Sequence, residues 1–322
     1  MVKAEIHCHI EGAADPALVQ RLAQKYDVDL NDVIRDGSYV WSDFTSFLNV
    51  YDRASAVFRT PEDYRLLTYD YYSRLAQQGA IYGEVFGSSD HAAVMGIGYR
   101  DLVEAIAAGI NDARQETGIE GRIIMTSVRH LGPEAAEAVA DLVASNPHPM
   151  VTGFGMGGDE RSFSVEDFAS AFSIAGDAGL GLTSHAGEFD GPQSVIDALD
   201  HLGVTRIGHG VRSIEDEKLV ERLVDEGIIL EVCPGSNISL SVYPDFSAHP
   251  LRRFYDAGVR VTLNSDDPPF FHTSLEAEYD IAAQHFDFDL AMIDQCTRTA
   301  LEGAFVDETT RAQLLKRLDN AT

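Results

Sequence analysis

The chain has 322 residues, of which 45% are hydrophobic, so it can bury a large core as one α/β barrel or as two smaller domains. Its formal charge of -28 argues against nucleic acid or an anionic membrane surface as a partner. The chain lacks a long apolar run and a signal-peptide pattern, and its three cysteines are scattered, so we expect a cytoplasmic protein without disulfides.

The first predicted strand, Lys3 to Ile10, contains two histidines one residue apart in the stretch IHCHIEG. Side chains two positions apart on a strand point to the same side and begin about 6.6 Å apart. His7 and His9 can therefore converge on one small object, although a pair of ordinary buried histidines would give the same pattern.

The segment 11–80 follows this strand and is much longer than a single crossover connection requires. We predict that it adds helices over the mouth of a barrel. Asp15 before Pro16 and Thr60 before Pro61 are typical helix starts. Ser213 with Asp216 is interpreted as a capping box that begins a later helix.

Seven more apolar or β-branched runs alternate with helical patterns along the rest of the chain. The predicted strands are Ile81 to Phe86, Arg122 to Val128, Val151 to Met156, Leu180 to His185, Arg206 to Gly208, Ile228 to Val232 and Arg260 to Asn264. Eight alternating βα units predict a parallel (β/α)8 TIM barrel, with a doubly wound open sheet as the alternative. No linker or repeat marks a second domain, so residues 1–322 are predicted to form one domain.

Residue types that bind metals stand at the ends of four predicted strands. They are His7 and His9, His185 with Glu188, His209, and Asp266 with Asp267. Any one of them is also compatible with an ordinary cap or turn. Because the strand ends of a barrel meet at one face, their combination predicts a metal site there.

These segments resemble the adenosine deaminase family of metal-dependent hydrolases over nearly the whole chain. The matching motifs, in the family's order, are H-x-H-x-x-G from His7, GGDE from Gly157, HAGE from His185, GHG from Gly208, CPGSN from Cys233 and SDDP from Ser265. The H-x-E and P-C-x-x-C pattern of the cytidine deaminase type is absent from the sequence.

The resemblance implies a metal centre and a hydrolytic deamination. His7, His9, His185 and Asp266 match the ligands of one Zn²⁺ per chain, although other divalent metals suit the same donors. In addition, the resemblance assigns two groups to proton transfer. His209 matches the base that acts on the attacking water, and Glu188 matches the acid that protonates N1 of the purine ring.

Substrate contacts are also implied by the resemblance. The residues expected at the purine are His9, Glu11, Gly158 and Asp267. The backbone N–H of Gly158 matches a donor to N3, and Asp267, which must be protonated to donate, matches the contact to N7. The aromatic residues Trp41, Phe44, Phe47 and Phe58 are predicted to form a lid, or else to pack ordinary helices.

One residue departs from the pattern of adenosine deaminases, which commonly have Asp where this chain has Glu11. In the family that carboxylate contacts the 5'-hydroxyl of ribose, and Glu is typical of adenine deaminases. The GGDE motif instead resembles the adenosine enzymes. The sequence therefore favours deamination of adenosine and 2'-deoxyadenosine, with an adenine or N6-substituted adenine deaminase as the alternative.

A non-catalytic purine-binding relative is the remaining hypothesis, but all the candidate metal and proton-transfer groups are present. The expected partner is a small purine and not nucleic acid or a membrane. The sequence leaves the oligomeric state open.

Overall fold

A computed structural model describes residues 1–321, and these contain eight parallel strands arranged as a nearly closed barrel. The strands are β1 (Lys3–Glu5), β2 (Ala80–Gly87), β3 (Glu120–Val128), β4 (Val151–Gly157), β5 (Gly181–Ala186), β6 (Arg206–His209), β7 (Ile229–Val232) and β8 (Arg260–Leu263). Strands adjacent in this order pair with one another in parallel. The TIM barrel predicted from the alternating pattern is thereby confirmed, and the open sheet is not formed.

Fourteen α-helices occur within residues 1–321. They are α1 (Pro16–Lys25), α2 (Phe44–Ser55), α3 (Pro61–Gln77), α4 (Ser89–Val94), α5 (Tyr99–Thr117), α6 (Pro133–Ser145), α7 (Ala169–Asp177), α8 (Pro192–His201), α9 (Glu217–Asp225), α10 (Pro234–Ser239), α11 (Leu251–Ala257), α12 (Leu275–His285), α13 (Leu290–Gly303) and α14 (Glu308–Asp319). Short 3₁₀ helices span Arg129–Leu131, Val165–Phe168 and Val211–Glu215. In the described part of the chain, no helix is both long enough and apolar enough to traverse a lipid bilayer.

The first strand is shorter than predicted, because its regular ladder ends at Glu5. Beyond it the backbone alternates between its two neighbours. The N–H of His9 donates to the carbonyl of Asp266 at 3.0 Å, whereas the N–H of Ile10 donates to the carbonyl of Phe86 at 2.9 Å. The bridge to Asp266 joins the segments that follow β1 and β8, and the bridge to Phe86 joins the segment after β1 to β2. The rings of His7 and His9 lie with their centroids 5.6 Å apart.

The segment 11–80 contains α1, α2 and α3 together with a hairpin of Ile34–Arg35 and Ser38–Tyr39. Of these helices, α3 packs along α5 on the outside of the barrel, whereas residues of α2 line the cavity at its mouth. A two-stranded hairpin was not predicted in this segment. The assignment of residues 1–322 to one domain stays a prediction.

Two of the three predicted helix starts have the expected caps. The side chain of Asp15 accepts from the N–H of Ala17, and Thr60 forms a capping box. The third prediction was wrong in detail. Asp216 itself caps α9, because its carboxylate accepts from the N–H of Lys218 at 2.9 Å, while Ser213 lies in the preceding 3₁₀ helix.

Candidate active site

Five side chains from four strand ends meet at the C-terminal face of the barrel in the described chain. Nε2 of His9 lies 3.1 Å from Nε2 of His185 and 3.5 Å from Oδ1 of Asp266. Nε2 of His7 lies 3.6 Å from the same carboxylate oxygen. Nε2 of His209 lies 3.8 Å from Oδ2 of Asp266. The structure therefore brings the predicted metal-binding side chains and His209 together in one buried cluster.

The donor set of this cluster fits a metal cation. Nδ1 of His7 lies 2.6 Å from the Glu231 carboxylate, and Nδ1 of His185 lies 2.9 Å from the carbonyl of Met156. Because carboxylates and carbonyls only accept, both rings carry a proton on Nδ1, and Nε2 is the nitrogen that can bind a metal. Nε2 of His7 is buried and has no hydrogen-bond partner in residues 1–321. A divalent cation would satisfy these facing acceptors.

The pKa of His7 also indicates that the cluster favours a positive charge. Burial by itself would lower the pKa of His7, but the carboxylates of Asp266 and Glu231 raise it to about 10. In contrast, burial lowers the pKa of His185 to about 4, so that ring is neutral at pH 7. A site that holds one positive charge among neutral imidazoles suits a metal ion.

The distances group four donors into a set that differs from the predicted one. The donor atoms of His7, His185, His209 and Asp266 all lie within 4.8 Å of one another. This set contains His209 where the sequence predicted His9. Burial lowers the pKa of both His9 and His209 well below the ordinary value, so both rings are neutral, and the pKa does not distinguish them. The predicted set with His9 stays a prediction.

Glu231 connects His7 to a line of buried charges inside the barrel. Its second carboxylate oxygen accepts from the hydroxyl of Thr183 at 3.0 Å and lies 2.6 Å from Nε of Arg206. Arg206 in turn pairs with Glu84 at 2.7 Å. All these charged side chains are fully buried. The sequence analysis missed Glu231, because it stands in the middle of a strand and its histidine partner is 224 positions away.

We expect the Glu231→Gln enzyme to bind its metal about 10- to 100-fold more weakly than the wild type, since the carboxylate orients His7 and increases the basicity of Nε2. Competition with a chelator of known affinity measures this effect. Thr183→Val is the matched control, because it removes a different hydrogen bond of Glu231 but leaves the carboxylate on His7. Equal metal affinity of Glu231→Gln and the wild type would contradict the assignment.

Two acids beside the cluster are held in the neutral form. Burial, with the charges of Asp266 and Glu160, raises the pKa of Glu188 well above its ordinary value. Burial and the adjacent Asp266 also raise the pKa of Asp267. Oδ1 of Asp267 has no hydrogen-bond partner in the described chain. Both carboxyl groups line the cavity and can donate a proton to a ring nitrogen.

Glu11 lies in the same cavity but is sealed against α3. It is 2% exposed, and its Oε1 accepts from the hydroxyl of the buried Tyr64 at 3.2 Å. Burial raises its pKa as well. The side chain therefore forms a fixed wall of the cavity.

Two positions of the matching motifs require glycine for steric reasons. A Cβ at Gly12 would lie 1.6 Å from Oδ1 of Asp267, so only glycine leaves room for that carboxyl group. Gly158 has φ +102, in the region that favours glycine, and it lines the cavity. The spacing H-x-H-x-x-G thus places the backbone of Gly12 against the side chain of Asp267.

The cavity combines the cluster with apolar and aromatic walls. Its other lining residues include Phe44, Phe47, Leu48, Tyr51, Phe86, Leu240 and Phe271. Two of the four aromatics predicted for the lid are therefore at the cavity. Trp41 packs behind Phe47 and donates to the carbonyl of Phe270, and Phe58 is fully buried against Tyr64. In residues 1–321, no lysine or arginine lines this cavity.

The loop after β5 is held by Glu160, the last residue of the GGDE motif. Its carboxylate accepts from the backbone N–H groups of Gly187, Glu188, Phe189 and Asp190 and from the hydroxyl of Ser194. These bonds fix the backbone from which the side chain of Glu188 extends. The sequence pattern by itself indicated a role only for Gly158 of this motif.

A family model for adenosine deaminase matches residues 2–321. The chain belongs to the adenosine deaminase family. An adenine deaminase from Sinorhizobium medicae is 58% identical, over 98% of this chain and 98% of that protein. The crystal structure of an adenine deaminase from Arthrobacter aurescens superimposes with a TM-score of 0.92 at 28% identity, over 99% of this chain and 98% of that one.

A structure with bound Zn is also similar. An amidohydrolase from Burkholderia ambifaria has a TM-score of 0.90 at 28% identity, over 99% of this chain and 91% of that chain. The family resemblance found in the sequence is confirmed. The chain is a deaminating aminohydrolase with a His/Asp cluster that can bind a metal. The non-catalytic alternative has no support in these comparisons.

Proposed function

We propose that this enzyme hydrolyses the 6-amino group of adenine, giving the 6-oxopurine and ammonia. The observation that carries the proposal is the 58% identical relative named adenine deaminase, which the chain matches over nearly its full length. The sequence analysis favoured adenosine and 2'-deoxyadenosine, and the comparisons support its alternative better. The motif GGDE, which resembled the adenosine enzymes, does not decide the sugar.

The geometry of Glu11 supports a free base as the substrate. By the family resemblance, the residue at this position faces the ribose. Here it is a longer carboxylic acid, buried and held by the Tyr64 hydroxyl at 3.2 Å. Such a side chain occupies space that a ribose requires. Among the described residues, the walls of the cavity also lack the lysine or arginine that commonly pairs with a nucleotide phosphate.

The side chains of the cavity supply the proton transfers that deamination requires. Neutral Glu188 donates its proton to N1 of the ring, and C6 accepts the oxygen of water. One proton of this water passes to the carboxylate left on Glu188, and the other passes to the amino group, which leaves as ammonia. Neutral Asp267 donates to N7, and the N–H of Gly158 faces N3. His7, His9, His185 and Asp266 would hold one zinc ion. When bound, this ion supplies Lewis-acid activation of the attacking water. The aromatic wall excludes bulk water.

A panel of 6-aminopurines tests the proposal. We expect kcat/KM for adenine to exceed that for adenosine and 2'-deoxyadenosine by about 5- to 150-fold. This is the range expected when one buried hydrogen bond to the substrate is lost or misplaced. N6-substituted adenines form the second arm of the panel, and the loss of purine absorbance measures each rate. A preference for the nucleosides would overturn the adenine assignment. The cytoplasmic location stays a prediction.

A further inference from the structure

A line of hydrogen bonds enters the cluster from α11 through His249 and Asn237. The backbone N–H of Leu251 donates to Nδ1 of His249 at 3.2 Å. Nε2 of His249 lies 3.1 Å from Oδ1 of Asn237. Nδ2 of Asn237 lies 3.3 Å from Nδ1 of His209 and 3.5 Å from Oε1 of Glu188. Asn237 is fully buried, and His249 is 4% exposed.

The backbone N–H of Leu251 fixes the direction of every bond in this line, because it can only donate. Nδ1 of His249 therefore accepts, and the neutral ring carries its proton on Nε2. Burial lowers the pKa of His249 to about 3, so the ring is neutral at pH 7. Its Nε2–H donates to Oδ1 of Asn237. The opposite orientation of the amide is excluded, because it would place two N–H groups face to face.

The amide nitrogen of Asn237 must then donate to both of its other neighbours. Nδ1 of His209 accepts one N–H, so the neutral His209 ring carries its proton on Nε2. Oε1 of Glu188 faces the second N–H of the same amide.

We propose that Asn237, oriented by His249, is a positioning residue that fixes the proton of His209 on Nε2 and orients the carboxyl group of Glu188. Only the activity measurements that test this proposal depend on the proposed function. His209 then presents an N–H donor, and not a lone pair, towards Asp266. This N–H stabilises negative charge that develops on the oxygen of the attacking water. His209 is therefore not a metal ligand, and it is not the base that the family resemblance implied.

Two other rings of the cluster, those of His7 and His185, carry a proton on Nδ1 instead. Nδ1 of His7 and Nδ1 of His185 both face acceptors, so their Nε2 atoms are free to bind a metal. Hydrogen bonding therefore separates His209 from His7 and His185, although the donor distances group these three rings together. The separation supports the predicted ligand set with His9.

NMR of the histidine ring nitrogens in the Zn²⁺-loaded enzyme tests the tautomer without any substrate. The two neutral tautomers differ in their nitrogen chemical shifts, and His209→Gln identifies the signals of His209. We expect protonated Nε2 and unprotonated Nδ1. A proton on Nδ1, or a metal-bound Nε2, would overturn the proposal. The result does not depend on which purine is the substrate, so its failure is distinguishable from failure of the adenine assignment.

Activity provides a second readout. Asn237→Asp replaces the N–H donor by an oxygen, and we expect kcat to fall at least about a hundredfold while metal content is unchanged. His249→Phe leaves the amide free to rotate and should cost about tenfold, whereas His249→Gln keeps an N–H donor and should recover most of the loss. If kcat falls equally in His249→Phe and His249→Gln, His249 contributes only through packing, and the proposal is contradicted.

The chain offers a matched control for His249. Nδ1 of His148 accepts from the N–H of Met150 at 3.2 Å, also across a proline, but His148 is remote from the cavity. His148→Phe should therefore retain the wild-type kcat and the wild-type His209 signals. A loss equal to that of His249→Phe would show a general effect on folding and would overturn the role of the line.

Discussion

The His185→Ala enzyme is expected to lose its metal, whereas the Glu188→Gln enzyme keeps its metal and loses about 10²- to 10⁴-fold in kcat. Nε2 of His185 points into the cluster, 3.1 Å from Nε2 of His9, so its removal opens the donor set. Glu188 lies outside that set, beside His209 at 3.7 Å, and its proposed task is proton transfer. Metal analysis of the purified variants, together with adenine turnover, checks both expectations.

The pH dependence of the wild type follows from the same acid. Burial raises the pKa of Glu188, so the carboxyl group is protonated up to a higher pH than an ordinary glutamate. Its proton is available below that pKa, and kcat is expected to fall as the pH rises through it. This limb should be absent from the residual activity of Glu188→Gln. Metal loss in Glu188→Gln, or a retained limb, would contradict the assignment.

The Glu11→Asp enzyme is expected to gain activity on adenosine relative to adenine, by about 5- to 150-fold in the ratio of kcat/KM values. The change removes one methylene from the wall that Glu11 forms with Tyr64, and it makes room where relatives bind ribose. Parallel assays with adenine, adenosine and 2'-deoxyadenosine measure the ratio.

Tyr64→Phe is the control for Glu11, because it removes the hydroxyl at 3.2 Å but keeps the carboxyl group in the cavity. We expect a smaller change in the ratio for this variant. If Glu11→Asp lowers the rates on the base and on the nucleosides equally, Glu11 does not select against the sugar, and another residue must carry the specificity.

The sequence by itself determined the barrel and the identity of the clustered side chains. Eight apolar runs alternate with helical patterns, and this arrangement is specific for parallel strands whose ends share one face. His7, His9, His185, His209 and Asp266 stand at such ends, so their convergence followed from the topology before any distance was known. The deaminase chemistry followed from the order of the motifs.

Only the tertiary structure decided how these side chains are held and protonated. Glu231 reaches His7 across 224 positions, and Tyr64 reaches Glu11 across 53. Nothing local in the sequence marks such pairs, because a hydrogen bond between distant elements depends on how the strands and helices pack. The proton on His209 depends on His249 in the same way. Local patterns can therefore predict which groups meet, but the donor or acceptor state of each group depends on partners brought together by folding.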